Sequence, residues 1–452
     1  MVTSRRPRTN PRDAMLAVWT NGERVGIWSV TGDQHRLRYD ESWRASPAGR
    51  ALSLSLPFTP DNLPHRGEAV RNFFDNLLPD NDAIRRRLRD KFATGGTGAF
   101  DLLSAIGRDC VGAVQLLPLD MEPAGFDRID ATRLDHAGVE LAIDNAVTGG
   151  AVFGQLEPDD FRISIAGAQE KTALLWHSNH WCRPLGATPT THILKLPLGL
   201  VGNMRADMFT SVENEWLCAR ILALLGFPVA SCEMATFGQR KVLVVERFDR
   251  VLQTTDSGPS WLLRLPQEDF CQALGVPGDR KYESDGGPGI RAILRQLETS
   301  RQADADKLMF VKAQLAFWLM AATDGHAKNF SLFLERGGGY RLTPLYDVLS
   351  AWPIIGNGPN QVSPRRAKLA MALRGKNAHY HLHEIHTRHW HTLAQQSGAP
   401  DAFDSMVALV LQVPYALDQA EALLPPGFPP RVFKSIRAGM LAQAELFVAG
   451  MP

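Results

Sequence analysis

Cysteine is scarce in this chain. Its five cysteines (Cys110, Cys182, Cys218, Cys232, Cys271) are odd in number and never fall in a C-x-x-C spacing. That excludes a disulfide framework and a cysteine zinc site, and fits a reducing cytosol. Charge of one sign is lacking too: 49 Lys and Arg against 48 Asp and Glu leave a net charge of +1. No overall field steers the protein to nucleic acid, so binding of that kind must be local or borrowed from a partner. No apolar run approaches the ~20 residues that span a bilayer, so no membrane association is expected. The first 13 residues are rich in Arg and Pro without an apolar core, and read as a disordered basic arm rather than a secretory signal. Internal repeats are absent. What remains is ordinary soluble composition, 44% hydrophobic and 21% charged, in a chain longer than one core usually supports. Two or three domains are therefore expected.

Read in order, Met15 to Val30 gives two alternating runs around Asn21-Gly22, a strong hairpin signal. Leu52 to Leu56 suggests a further strand. Glu68 to Leu78, Asp80 to Phe92 and Asp101 to Ile106 have helical spacing, and Gly112 to Leu117 reads as a strand. These make an N-terminal α+β module, residues 14–120, with nothing catalytic in it. After a helix near Thr132 to Ala146, strand signals crowd together at Phe161 to Ile165, Thr172 to Trp176 and Thr191 to Leu196. Ser211 to Leu225 is a helix that ends at Gly226-Phe-Pro, and Val242 to Phe248 is a buried strand running out into charge. These elements form a second unit, residues 121–250. From Leu265 the chain turns helical: Gln267 to Leu274, Gly289 to Thr299, Ala303 to Ala322, Phe403 to Leu411 and Arg431 to Ala449. Residues 251–452 thus form a helical unit, with a loop at Tyr282 to Gly289.

The helix Leu308 to Met320 runs straight into Thr323-Asp-Gly-His-Ala-Lys-Asn329, and a second acid follows in Pro344-Leu-Tyr-Asp347. An Asp, four residues and an Asn, then a later Asp, is the arrangement kinases use for phosphoryl transfer. The first Asp receives the acceptor hydroxyl's proton, while Asn and the second Asp hold the metal that bridges the ATP phosphates. Mg²⁺ takes hard oxygen ligands, which a carboxylate and an amide carbonyl supply. Asp and Asn are also common turn residues, so this motif draws its weight from its neighbours. One neighbour is the turn Ala166-Gly167-Ala168-Gln169-Glu170-Lys171 between two strands, followed by Lys195 on a third. Backbone N–H groups of such a turn cradle phosphates and the lysine neutralises them. The turn is not a Walker A loop, since Glu170 stands where Gly should precede Lys171-Thr172. Glu213 and Glu215 are equal candidates for the acid that pairs with Lys195.

Several ordered motifs resemble the HipA family of bacterial serine/threonine kinases. They include Phe161-Arg-Ile-Ser-Ile-Ala-Gly-Ala-Gln-Glu-Lys171, Thr191-His-Ile-Leu-Lys-Leu-Pro197, Val245-Glu-Arg-Phe-Asp249, Lys281-Tyr-Glu-Ser-Asp-Gly-Gly-Pro-Gly289 and Leu342-Thr-Pro-Leu-Tyr-Asp-Val348. Asn72-Phe-Phe-Asp-Asn-Leu-Leu-Pro79 carries the likeness into the first module. The resemblance, from about Met15 onward, implies a two-lobed protein-kinase-like α+β fold. A mixed α/β N-lobe and an all-helical C-lobe would be joined by the N-terminal module docked on the N-lobe. It implies Asp324 as catalytic base, Asn329 and Asp347 as Mg²⁺ ligands, and Lys195 on the ATP phosphates. Ala166 to Lys171 would be the phosphate loop, Glu246, Arg247 and Phe248 the adenine hinge, and His326, Lys328 and Tyr346 nucleotide neighbours. Ser164 would be an autophosphorylation site whose phosphate, about −1.5 to −2 in charge, displaces ATP and stops catalysis.

The same resemblance implies a cytoplasmic toxin of a toxin–antitoxin pair that phosphorylates a translation protein, glutamyl-tRNA synthetase by family likeness. Its partner would be a HipB-like helix-turn-helix antitoxin, through which operator DNA is mainly reached and repressed. Here the segment His391 to Gly398 holds no Lys or Arg, so direct phosphate contacts from it are not expected. Two other readings compete: a kinase of a small molecule, and a non-catalytic co-repressor that grips the antitoxin. Intact Lys195, Asp324, Asn329 and Asp347 argue against the latter. Six of the 13 histidines lie between His379 and His391. With no Cys or second acid beside them, they read as a surface that charges at acid pH rather than as a zinc site.

Overall fold

A computed structural model describes residues 14–147, 169–202, 205–254 and 259–451. Ser164 and the phosphate-loop residues Ala166, Gly167 and Ala168 lie outside the described residues, as does the expected strand Phe161 to Ile165.

The N-terminal module is an antiparallel sheet backed by helices. Strands β1 (Ala14–Thr20), β2 (Glu23–Thr31) and β3 (Gln34–Tyr39) form a meander, with β1 and β2 joined at Asn21-Gly22, both at positive φ. That is the backbone a tight hairpin turn requires. After the short helix α1 (Glu41–Ala45) come β4 (His65–Arg66), α2 (Glu68–Asp75), α3 (Asp82–Phe92), α4 (Ala99–Ile106) and β5 (Gln115–Leu117). The sheet order is β4-β3-β2-β1-β5. Its core is Trp28 stacked on Phe74 at 3.8 Å, with Leu37, Phe73, Leu102 and Leu103 fully buried around it.

Leu52 to Leu56 is not a strand. Its polar groups are drawn sideways: Leu54 N–H donates to Glu268 at 2.8 Å, Ser55 Oγ to Gln272 O at 2.7 Å, and Leu52 N–H to Tyr39 Oη at 2.8 Å. The alternation that suggested a strand serves a docking loop instead, because the backbone finds side-chain partners across an interface rather than a ladder.

The second unit holds β6 (Ala131–Arg133), α5 (His136–Val147), β7 (Lys171–His177), β8 (His180–Pro184), β9 (His192–Lys195), the hairpin β10 (Gly199–Val201) and β11 (Ala206–Met208), α6 (Ser211–Leu224), β12 (Cys232–Phe237) and β13 (Arg240–Glu246). Six of these strands pair in the order β12-β13-β9-β7-β8-β6. Period-two alternation sorts their side chains between two faces. Val242 and Val244 pack with Leu174, Leu194 and α5 residues Val139 and Ile143, whereas Leu243 and Val245 join the large core with α6. Since Leu194 faces α5, its neighbour Lys195 must face the other way, toward α6.

The third unit has α8 (Ile290–Leu297), α9 (Ala303–Met320), α10 (Thr387–Ser397), α11 (Ala402–Ala422) and α12 (Pro430–Ala449) around one core with Phe310, Trp318 and Trp390 at its centre. It also carries small β elements: the hairpin β14 (Arg250–Gln253) with β15 (Trp261–Arg264), the sheet β16 (Gln267–Asp269) with β17 (Ser331–Leu334) and β18 (Tyr340–Leu342), and β19 (Lys368–Arg374) with β20 (Ala378–His381). The helix read over Gln267 to Leu274 therefore splits. Its first three residues are β16, and only α7 (Phe270–Ala273) is helical, started by an Asp269 and Gln272 capping box.

The N-terminal module docks on both lobes, not on the N-lobe alone. Arg87 of α3 pairs with Glu170, and Asp109 receives Thr190 Oγ1 at 2.7 Å. On the helical side, Lys281 reaches Asp80 at 2.8 Å, Asn72 Nδ2 donates to Gly275 O at 2.8 Å and Asn76 Nδ2 to Val276 O at 2.9 Å. A buried charge cluster lies at the three-way junction. Arg250 bonds Asp109 at 2.9 Å, Arg247 bonds Asp109 at 3.2 Å and Asp249 at 3.0 Å, and Arg264 lies 3.6 Å from Asp109. Burial by itself would raise the Asp109 carboxyl, but the three guanidiniums outweigh it and hold it far below the usual range.

In the histidine-rich stretch, His379 stacks on His389 at 4.1 Å across β20 and α10. Burial, then the neighbouring His379, Arg388 and His386, lower His389 to about 4, so this one does not charge in mildly acid solution. Among the described residues no three His, Cys, Asp or Glu side chains converge as a metal site, and no helix is long and apolar enough to cross a membrane.

Candidate active site

Between the two lobes lies a cavity of ≈ 160 Å³ with an apolar side, including Ile193, Val245, Phe248 and Tyr346, and a charged side. Its charged side is fixed by three elements. Lys195 ends β9. Helix α6 carries Glu215 and is pinned by a reciprocal pair: Asn214 Nδ2 donates to Ser350 O at 2.8 Å and Ser350 N–H donates to Asn214 Oδ1 at 2.9 Å. Asp347 sits three residues before Ser350, with a left-handed φ of 59° that turns the chain into the cavity. These ties bring Lys195 Nζ to 2.5 Å from Glu215 and 2.9 Å from Asp347. Of the two candidate acids on α6, Glu215 is the one that meets Lys195, while Glu213 pairs with Lys241 at 2.6 Å. Helical geometry separates them: two residues apart is about 200°, so they cannot share a face.

The electrostatics are those of a buried site with more than one cation. Desolvation alone would raise Asp347, but Lys195 and Lys171 outweigh it and hold Asp347 at about 2. Desolvation opposes charge on Lys195, yet Asp347 and Glu215 more than compensate, so it stays an ammonium. Glu215, buried and competing with Asp347 for that ammonium, rises to about 7. Lys171 starts β7 directly opposite Lys195 in the ladder, and burial lowers it to about 8. Beside it, Glu170 is held by Arg87, and Gln169 Nε2 donates to Leu196 O.

The catalytic-loop candidate follows the left-handed C-cap Ala321 of α9. Gly325 is required there, because a Cβ would stand 2.4 Å from the Phe317 ring. The loop folds on itself: His326 N–H donates to Asp324 O at 2.8 Å and Asn329 Nδ2 to the same carbonyl at 2.7 Å. Asn329 thereby spends its amide N–H₂ on the loop, and its Oδ1 is the atom that would meet a cation. The Asp324 side chain is 59% exposed at the cavity mouth, yet the surrounding protein raises its carboxyl above the usual range, opposed by the Tyr282 hydroxyl that donates to it. His326 lies buried behind it, lowered to about 3 by desolvation, and its Nδ1 has no protein partner.

Lys328 and Arg247 line the cavity but their polar groups are committed elsewhere. Lys328 Nζ donates to Asn76 Oδ1 at 2.8 Å, Asn76 O at 3.0 Å and Asp269 at 2.9 Å. Arg247 spends its guanidinium on Asp109, Asp249, Thr190 and Cys110 O, and its N–H on Thr191 O. Its guanidinium is therefore turned away from a nucleotide, although Arg247 itself lines the cavity beside Glu246 and Phe248. Phe248 and Tyr346 face each other at 5.7 Å, and Tyr346 Oη donates to Lys328 O at 2.8 Å. Glu246, exposed at the end of β13, lies at the cavity's edge. Sequence reasoning missed Asn76, Asp80, Asp269 and Lys281, which also line the cavity. The Asn72 to Pro79 motif was the signal for Asn76, with Asp80 directly after it, although no local pattern marks an Asn or Asp in a helical module as part of a distant site.

The oxygens of Asp347 and Asn329 are of the hard type that would suit a divalent cation, the paired lysines would answer a polyphosphate, and the unpartnered Nδ1 of His326 offers a further polar atom. These residues fit Mg²⁺ and ATP.

The HipA-like C-terminal domain model matches residues 163–417 and the HipA N-terminal domain model residues 16–117. Y4mE of Sinorhizobium fredii, a protein named as a candidate kinase, is 35% identical over 395 residues, covering 85% of this chain and 86% of its own. The serine/threonine-protein kinase toxin HipA of Shewanella oneidensis is 27% identical over 334 residues, covering 72% and 71%. Among solved structures, a chain from the complex of Shewanella oneidensis HipA, HipB and its operator DNA superposes with a TM-score of 0.76 at 23% identity, over 96% of this chain and 97% of the other. With both domain models in order and more than half of its length matched by one of them, this chain belongs to the HipA family of kinases.

Proposed function

We propose that the protein is an ATP-dependent serine/threonine kinase acting as the toxin of a HipAB-type toxin–antitoxin pair. The observation that carries this is Lys195 Nζ held between Glu215 at 2.5 Å and Asp347 at 2.9 Å, with Asn329 and Asp324 on the loop opposite. Magnesium-bound ATP, when present, supplies the phosphoryl group. Lys195, kept charged, neutralises phosphate oxygens, and Glu215 keeps it extended toward them. Asp347 and Asn329 would hold the metal, and Asp324 orients the acceptor hydroxyl and takes its proton. Phe248 and Tyr346, packed together 5.7 Å apart at a tilt of 42°, offer the base an aromatic wall.

Glutamyl-tRNA synthetase is the proposed acceptor, and Ser164 the proposed autophosphorylation site that switches the enzyme off. A helix-turn-helix antitoxin is the proposed partner, carrying the pair to operator DNA in the cytoplasm as a co-repressor. Consistent with DNA being reached through that partner, α10 has a single basic residue other than histidine, Arg388.

The test is incubation of the purified chain with labelled ATP, Mg²⁺, candidate tRNA synthetases and a cell extract, beside Asp324→Asn. Loss of about 10²–10⁴ in transfer, as expected for removal of a general base, supports the reading. Transfer within about tenfold of wild type, some 1.4 kcal/mol, overturns it.

A further inference from the structure

The catalytic-base candidate is already engaged. Asp324 Oδ1 accepts a hydrogen bond from the Tyr282 hydroxyl, while the nearby His326 Nε2 lies 3.8 Å away. A phenol and a serine hydroxyl present the same single O–H donor. We propose that Tyr282 is a placeholder for the acceptor: its hydroxyl occupies on Asp324 the position an acceptor hydroxyl takes, and it swings out when the acceptor arrives. This rests on Asp324 being the base, as argued above.

The backbone around Tyr282 is built to stay while the side chain leaves. On one side, Lys281 is held by Asp80 at 2.8 Å, and its carbonyl accepts from Ala327 N–H at 3.3 Å. On the other, Glu283 accepts from Ala372 N–H at 2.7 Å and Arg374 Nε at 3.0 Å. The Tyr282 carbonyl itself accepts from Asp285 N–H at 3.1 Å and Gly287 N–H at 3.0 Å. Its ring, by contrast, rests edge-on against His326 at 4.9 Å and near the Lys281 ammonium at 5.7 Å. Rotation about its side-chain torsions breaks the one bond to Asp324 and leaves the loop in place. An open groove of ≈ 660 Å³ borders the ring between α2, α3 and residues 277–285, with room to receive it.

The consequence is selectivity against water. With no acceptor bound, the phenol holds Asp324 Oδ1, so a water cannot take that oxygen although the rest of the carboxylate faces solvent, and less ATP is spent. An acceptor must displace a hydrogen bond to a carboxylate, which raises its apparent KM.

Tyr282→Phe keeps the ring on His326 and removes the hydroxyl. Two rates are measured with Mg²⁺ and ATP: phosphate release with no acceptor, and transfer to a pooled serine and threonine peptide library. We expect the variant to raise acceptor-free hydrolysis about tenfold and lower the peptide KM by a similar factor. Calorimetric affinity for Mg·ATP should stay unchanged, because Tyr282 does not line the nucleotide cavity. Tyr282→Leu should show the same rise in hydrolysis. Unchanged acceptor-free hydrolysis overturns the proposal, as does a fall in peptide kcat to the level of Asp324→Asn. Phosphate found on Tyr282 by mass spectrometry also overturns it, since the phenol would then be an acceptor rather than a stand-in. If Asp324→Asn silences transfer while Tyr282→Phe changes nothing, only the placeholder fails. If Asp324→Asn leaves transfer intact, the base assignment fails with it.

Discussion

Replacing Asp109 by Asn tests how the N-terminal module is tied to the kinase lobes. Asp109 belongs to the module, yet it faces Arg247, Arg250 and Arg264, all nearly inaccessible, and it also accepts from Thr190 N–H at 3.0 Å and Thr190 Oγ1 at 2.7 Å. Asp249 is the other carboxylate bonded within the cluster. The substitution leaves three guanidiniums around one carboxylate in a water-excluded junction. Breaking a buried pair in this way typically costs about 3–5 kcal/mol, chiefly from the charges left behind. The Asn can retain an oxygen for Thr190, which places the expected loss near the lower figure, about 3 kcal/mol. Urea unfolding followed by tryptophan fluorescence reads it, since Trp28 and Trp43 lie buried in the module. Because the folded-state pKa of Asp109 is depressed, its contribution is fully present above the unfolded value of about 3.9 and is lost as pH falls through the folded one. The gap between mutant and wild type should thus hold from pH 8 to about 5 and close only in acid. Combining it with Arg250→Met should recover about 1 kcal/mol or more relative to the sum of the single effects. A single-mutant loss below about 1 kcal/mol, or strict additivity in the pair, refutes the reasoning.

Asp347→Asn should weaken Mg·ATP binding as well as turnover, because it removes a proposed metal ligand and a partner of Lys195; equal calorimetric affinity counts against that role. Glu215→Gln should lower kcat by about tenfold or more, whereas Glu213→Gln, whose partner Lys241 is half-exposed, should keep activity within about twofold; the reverse order would reassign the pair. Glu268 is fully buried, and desolvation raises it to about 8 although Leu54 N–H donates to it. The folded state then holds a proton that the unfolded state releases, so stability should fall as pH rises from about 4.5 to 8. Glu268→Gln should flatten that fall; an unchanged slope between mutant and wild type in urea unfolding would show that Glu268 is not the group responsible.

The sequence alone determined the local parts of this protein. The hairpin at Asn21-Gly22, the helices that end before Gly226 and Ala321, and the spacing of Asp324, Asn329 and Asp347 are all short-range, so periodicity and turn chemistry expose them. The glycine before His326 is likewise a local demand, set by the Phe317 ring one turn back in the preceding helix. What tertiary structure decided is everything that depends on which surface meets which. Leu52 to Leu56 alternates like a strand, but Glu268 and Gln272, more than 200 residues away, take its hydrogen bonds and leave it a loop. Glu213 and Glu215 are indistinguishable by type and spacing, and only the packing angle of α6 selects Glu215 for Lys195. Arg247 sits in a hinge motif, yet its guanidinium turns to a carboxylate 138 residues earlier. Asn76 reaches the catalytic loop through Lys328 across 252 residues. Such pairings carry no period and no motif, because the free energy that fixes them comes from desolvating charges together in a junction that exists only after the three units have docked.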